Sequence, residues 1–518
     1  MLTRNKYKLN NNTTALYEWK DPHKPWIRIQ DLYPCIMKDP IQVYMKHYLN
    51  IHTTFSANPN PVPHDNHTFF SKYKSQLYFV SQHLQRPRSI SILKEISLKK
   101  GRHNYYSVPV FNNRRRWKMM IDLIVKASFL NQFLTTKLDD EVDQLYIVML
   151  CTTKTLTKYK EYQAYFASLI LSCYTDDICI DKIYFLNTET ENIIQVDIDP
   201  NNVITQEIPK YCKWIRMCMN FGQSFELTPP SNPNLYPNMK VSCNDISMDR
   251  WKNEYAKELK EITLLWKCHP KQRENIHKRG IYSFEDPQLN VNHLGISSDH
   301  DKFVLEKMLE LYHCKNDHKQ IYVPSHFTFV NERRYELYVD FETLDSFIYW
   351  IGVGIYDNDS NTFTYQCFVS SIYPNAESQE TVMSDFITFL ETLHSNYILY
   401  YWYAEKRFWT IATKSCHSTQ VLNYDTSQWM DLCLFFMHTP IIIKDCFNFK
   451  LKVLAKAMKR FGMIDIVCPE ECQSGHESID LAKQYFQRQD PHVLSILESY
   501  NHFDCKVMYE MVCFLKTL

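Results

Sequence analysis

The sequence predicts an α/β protein of more than one domain. An N-terminal α/β domain leads through a helical connector to a C-terminal domain with a mixed five-stranded sheet flanked by helices. Three observations predict this. At 518 residues the chain exceeds what one ordinary core holds, so two or three domains are expected. A hydrophobic content of 45% with 14% aromatics is the composition of packed cores, not of disorder. Short β-prone runs and stretches of helical period occur in both halves of the chain.

Composition also excludes some functions. The 58 basic and 58 acidic residues cancel, so any contact with nucleic acid rests on local patches and not on a global field. With only 8 glycines and no glycine-rich phosphate loop, the chain does not read as a P-loop ATPase or a dinucleotide fold. The polar start MLTRNKYKLN is unlike a signal peptide, and no run is long and apolar enough to span a bilayer. Seventeen cysteines without a CxxC pair read as reduced thiols in an intracellular compartment, cytoplasm or nucleus. Cys468, Cys472 and His476 form the tightest Cys/His group, but their spacing departs from zinc patterns and ordinary loop residues are the favoured reading.

Taken in order, residues 1–67 are polar and rich in Asn and Pro, which predicts an irregular arm. Residues 68–235 are more regular. Tyr73, Leu77, Val80 and Leu84 share a stripe, which predicts a helix over 70–84. Two apolar strand-like runs follow, WKMMIDLIVKASF with Asp122 and LYIVMLC, and then an amphipathic helix over 158–174. A strand-like segment from Ile208 gives way to a Pro-rich break that ends near Leu235. Residues 236–325 read as a connector with helices over 249–267 and 298–312. Between these helices, Lys267, Lys271, Arg273, Lys278 and Arg279 cluster before Gly280, a turn residue. Arg273 and Lys278 are candidates for gripping backbone phosphate; solvated linker charges are an equal reading.

Residues 326–518 carry the chemistry. In YELYVDFETL, from Tyr335 to Leu344, Asp340 and Glu342 are two apart and share one face of a strand. Paired acids repel, and a hard divalent ion such as Mg²⁺ or Mn²⁺ relieves them. Taken alone, the pair equally describes a surface strand with two solvated acids. Strands over 347–356 and 362–370 form a hairpin around DNDSN, followed by a helix over 380–394 and the apolar strand YILYYWY. WMDLCLFF, from Trp429, reads as a fifth strand, and residues 447–461 as a basic amphipathic helix carrying Lys450 and Lys452. In the last helix, over 499–518, Tyr500 and Asp504 stand one turn apart on one face.

A strand bearing D-x-E and a late helix bearing Y-x-x-x-D resemble the DEDDy 3′–5′ exonucleases of the ribonuclease H-like superfamily, the YprB-like branch above all. The resemblance covers Tyr335 to Leu518. It implies two Mg²⁺ or Mn²⁺ ions held by Asp340, Glu342, Asp504 and a third-motif acid, with Tyr500 orienting the attacking water. Family members commonly carry Asp as that acid just after the fourth strand; here the candidate is Glu405 in YYWYAEKRFW. The family also uses the region of Lys450 and Lys452 near the substrate strand. Residues 68–235 resemble the RecB-like branch of the PD-(D/E)XK nucleases, with Asp122 at the aspartate strand and Gln163 at the helix glutamine. The rest of that pattern is missing: Gln76 stands for the helix glutamate, and YIVMLCTTK has only Lys154 near the D/E-x-K position. This implies a degenerate nuclease fold. The expected function is a metal-dependent 3′–5′ exonuclease on single-stranded DNA or RNA ends. The competing reading is a non-catalytic nucleic-acid-binding or scaffold protein.

Overall fold

The structure is a computed structural model. It describes residues 25–49, 69, 71–79, 104–112, 114–139, 144–172, 178–243, 245–314, 319–329, 333–467, 469, 472 and 475–518. These fall into two compact units, 1–261 and 262–518, so the division lies inside the stretch read as a connector.

Among its described residues the first unit has a seven-stranded sheet of β1 (Ile27–Arg28), β2 (Leu77–Phe79), β3 (Asn104–Asn112), β4 (Trp117–Lys126), β5 (Leu145–Cys151), β6 (Ile178–Asn187) and β7 (Ile193–Asp197). Its order is β2-β3-β4-β5-β6-β7, with β1 added to β4. The Lys158–Leu171 helix joins the parallel pair β5 and β6, which a hairpin cannot do. The Thr157 side chain caps that helix by accepting from the Lys160 amide.

Three expectations are corrected here. The helix expected over 70–84 lies partly outside the described residues; among those described, a 3-10 turn, Lys74–Gln76, leads into β2, because Leu77–Phe79 finds a parallel partner in β3. The segment from Ile208 is no strand but part of the Val203–Phe221 helix, capped by Asn202 and carrying Pro209 inside it. Residues 27–47 are not an irregular arm: Ile27, Ile29, Leu32, Ile41 and Met45 are buried in the unit's cores.

The first unit also buries an ion pair. Lys252 Nζ lies 2.8 Å from Asp39 Oδ2, and both side chains are fully buried. Gln42 and the Asn238 amide donate to the same carboxylate at 2.7 and 2.8 Å. Lys252→Met removes one partner and leaves a buried charge behind, so it should cost about 3–5 kcal/mol. A denaturant midpoint equal to wild type would refute this.

The second unit has a five-stranded mixed sheet of β9 (Tyr335–Leu344), β10 (Phe347–Asp357), β11 (Thr362–Val369), β12 (Tyr397–Tyr401) and β13 (Trp429–Asp431), in the order β11-β10-β9-β12-β13. A small pair of β8 (Ile321–Tyr322) and β14 (Ile442–Ile443) stands apart from it. Central β9 runs antiparallel to β10 and parallel to β12. Its alternation sorts the faces. Leu337, Val339 and Phe341 pack with Val382, Phe386 and Leu390 of the Ala376–Thr392 helix. Tyr338 lies on the other face, with Cys505, Met508 and Val512 of the C-terminal helix, Pro491–Leu515. Residues 262–311 contribute to the core shared with that helix, so this half of the connector is integral to the unit.

Two boundaries differ from expectation. The apolar run from Trp429 is a strand only to Asp431, whose side chain accepts from the Leu434 amide and caps a helix, Leu432–His438. The helix expected over 249–267 is Ile246–Leu259 and ends at Lys260 with φ +50°.

Candidate functional site

The even-numbered face of β9 meets the C-terminal helix, and there the acids gather. Glu336, at one end of the strand, is fully buried and satisfied: Tyr338 donates to it at 2.8 Å and Lys516 Nζ at 2.6 Å. Asp340 and Glu342 lie further along and face Asp504 and Tyr500 of the helix. Burial pushes the Asp340 carboxyl well above the usual range, and repulsion from Asp504, Glu342 and Glu405 adds to it. Glu342 rises to about 7 by burial and by Asp504, offset by a hydrogen bond from Ser478. That bond, 3.0 Å from Ser478 Oγ to Glu342 Oε2, comes from the Gly475–Arg488 helix. Burial lifts Asp504 to about 6, and its Oδ1 is buried with no hydrogen-bond partner among the described residues. The Tyr500 phenol is pushed up by burial and then by Asp504, Glu342 and Asp340, so it stays protonated at neutral pH.

Glu405 begins the Glu405–Ala412 helix and is buried at 5% exposure. Its Oε2 accepts from the Ala404 amide at 3.1 Å, so the side chain is tied to its own helix turn while its charge still reaches Asp340. Burial raises it to about 8 against these backbone bonds. The residue is thus both tied to the start of its own helix and close enough to act on Asp340.

The basic candidates separate. Lys452 lies on the helix Leu451–Arg460, and its Nζ is 3.6 Å from Asp504 Oδ2 and 3.7 Å from the Tyr500 ring centroid. It is the cation that offsets Asp340, Glu342 and Asp504. Lys450 and Lys278 are exposed. Arg273, expected on a basic surface, is instead buried at 5% exposure, because its helix turns that face to the core with Ile276.

Asp122 lies on β4 and accepts from the Leu150 amide at 2.9 Å. Burial raises it to about 6, with no acid nearby among the described residues adding to the shift. Gln76 and Lys154 are exposed, and Gln163 is half-buried. Arg115 and Arg116 lie over the rings of Trp117 and Trp26, at 4.8 and 5.2 Å, as parts of a turn. The grouping of Cys468, Cys472 and His476 falls partly outside the described residues. Among the described residues the cysteines form no disulfide.

Three residues that sequence reasoning missed touch or face this site. Ser478 holds Glu342, as above. Asn501 donates to Asp340 Oδ2 at 2.7 Å. Tyr349 lies where the β9–β10 register shifts; it is 1% exposed, and its hydroxyl has no hydrogen-bond partner among the described residues. Burial raises its phenol, and Glu342 and Asp340 add to the shift. A signal for Asn501 was present: it is the polar member of the apolar i, i+4 stripe Leu497, Asn501, Cys505.

An oxygen-only donor set, mutual repulsion and the partnerless Asp504 oxygen fit a hard divalent ion. As the side chains stand, no three His, Cys, Asp or Glu among the described residues are gathered into a metal cage. No helix among the described residues is long and apolar enough to cross a membrane.

A family model of the RNase_H superfamily matches residues 337–515. The chain matches no curated protein and no solved structure. The matched span starts at Leu337 in β9 and runs to the end of the C-terminal helix, so Asp340, Glu342, Glu405 and Asp504 all lie within it. Residues 337–515 carry a ribonuclease H-like domain, which points to nuclease-type activity and to nucleic acid as the partner.

Proposed function

We propose that this ribonuclease H-like domain is a metal-dependent 3′–5′ exonuclease of the DEDDy type, acting on single-stranded DNA or RNA ends. The observation that carries the reading is that Asp340, Glu342 and Asp504 are buried close enough to repel one another and to act on Tyr500, with Glu405 acting on Asp340. Acids 164 positions apart in the chain (340 to 504) are brought into mutual repulsion under burial, which costs stability and suits a cation-dependent role. Asp340, Glu342, Asp504 and Glu405 would hold Mg²⁺ or Mn²⁺. Two such ions, when bound, supply Lewis acidity at the scissile phosphate.

The protein's own groups do the rest. Tyr500 keeps its proton and offers a hydroxyl beside Asp504, which suits alignment of water and not proton abstraction. Lys452 brings positive charge to Asp504 and Tyr500, where a phosphodiester would approach the acids. The first unit is read as a degenerate RecB-like PD-(D/E)XK fold that keeps Asp122 without companion acids among the described residues. Exposed Lys278 and Lys450 are candidates for contact with the strand.

The test is purified protein with Mg²⁺ or Mn²⁺ and a 5′-labelled single strand, which should shorten progressively from its 3′ end. Tyr500→Phe loses one hydroxyl and should slow cleavage about 10–100-fold with binding of the strand retained. Strand binding in both metals without shortening would replace the enzyme reading with that of a non-catalytic nucleic-acid-binding protein.

A further inference from the structure

We propose that Asn501 is a positioning residue for Asp340, set by a one-way relay of hydrogen bonds across the sheet; this rests on the nuclease reading above. The relay starts at Trp350 on β10, whose Nε1 donates to the Tyr365 hydroxyl at 3.2 Å. Tyr365, on β11, donates to Asn501 Oδ1 at 2.8 Å. Asn501 Nδ2 then donates to Asp340 Oδ2 at 2.7 Å and to the Asp340 backbone carbonyl at 3.2 Å.

Direction follows from the chemistry of the ends. An indole N–H only donates, so Tyr365 accepts from Trp350 and has its own proton for Asn501. A carbonyl and an ionised carboxylate only accept, so the amide must turn its NH₂ toward Asp340. Each link therefore has one orientation, and the last aims an amide N–H at Asp340 Oδ2 and fixes where that side chain points. Among the described residues no other side chain hydrogen-bonds the Asp340 carboxylate. Asn501 is itself fully buried, so water does not substitute for the relay.

The sheet makes room for this arrangement. Gly352 pairs directly with Asp340 in the β9–β10 register. A Cβ at that position would lie 1.5 Å from Asn501 Oδ1 and 2.8 Å from the Tyr365 hydroxyl. Glycine is thus required so that the amide can pass over the strand to reach its acid. Hydrogen-bonding partners that orient ligating carboxylates commonly cost 10–100-fold in metal affinity or activity when removed.

The experiment measures Mn²⁺ binding by calorimetry alongside cleavage, in wild type, Asn501→Ala and Tyr365→Phe. Asn501→Ala should weaken Mn²⁺ binding about 10–100-fold and lower kcat by a similar factor, with KM for the strand unchanged. Tyr365→Phe removes only the outer hydroxyl and should weaken Mn²⁺ binding about 3–10-fold, which keeps the test decisive if the alanine variant does not fold. A fold-stabilising role alone would lower the melting temperature and leave Mn²⁺ affinity unmoved. If wild type binds Mn²⁺ and cleaves, and folded Tyr365→Phe and Asn501→Ala keep wild-type Mn²⁺ affinity, the relay is overturned and the nuclease reading stands. If wild type neither binds Mn²⁺ nor cleaves, the nuclease reading falls and takes the relay with it.

Discussion

Asp340→Asn is expected to lower the cleavage rate by at least about 10³-fold, equivalent to about 4 kcal/mol of barrier. Asp340 sits on the central strand, and repulsion from Asp504, Glu342 and Glu405 falls on it together. On the proposed reading it is the carboxylate whose loss a bound cation would feel most. The substitution keeps the shape and removes the charge, so the protein should fold and still bind a single strand, because cationic side chains hold phosphates. Asp122→Asn in the first unit should leave cleavage unchanged. The reverse pattern, with Asp122 essential and Asp340 dispensable, would move the active domain to the other unit.

The second large effect concerns pH. Burial raises Asp504 to about 6, Glu342 to about 7 and Glu405 to about 8, all above the values of an unfolded chain. A carboxyl with a raised folded pKa binds more protons folded than unfolded. Its contribution is fully present below the unfolded pKa and is lost as pH rises through the folded one. Metal-free protein should therefore lose stability between about pH 4 and pH 8 on account of this group. The groups facing Asp504 are Asp340 and Glu342 from β9, Tyr500 on its own helix and Lys452 from a neighbouring one. Relative to Asp504→Asn, which cannot titrate, wild type should lose on the order of 2 kcal/mol over that window, or about 5 °C in melting temperature. Mn²⁺ should restore the loss at pH 8 and do little at pH 5. A wild-type-minus-variant difference that is flat in pH would show that burial does not act on Asp504 in this way.

Legibility in the sequence followed the range of the physics. The strand over 335–344 and the helix around Tyr500 and Asp504 were readable because their periods of two and four residues are local properties of the chain. The stripe of Tyr73, Leu77, Val80 and Leu84 misled for the opposite reason. Its helical spacing is real, but Leu77–Phe79 is claimed by β3, and pairing with a segment that begins at Asn104 leaves no mark on the stripe. WMDLCLFF is apolar almost throughout and so carries no period; a single cap by Asp431 decides where strand becomes helix. Ser478 and Asn501 are ordinary letters in their own helices, and their meaning lies at Glu342 and Asp340, 136 and 161 positions away. Lys452 looked like one more charge on a solvated helix, and only the fold shows that its stem turns toward Asp504.

The same separation bears on how the domain folds. The bond from Asn501 to Asp340 closes a loop of 161 residues, so the acids meet only after most of the sheet is in place. Before that closure Asp340 and Glu342 are hydrated and far from Asp504, so the chain bears no repulsion between the strand and the helix. The electrostatic cost arises where the C-terminal helix docks on β9. If that docking follows the rate-limiting step, a cation held there as proposed would lengthen the lifetime of the folded domain without hastening its formation.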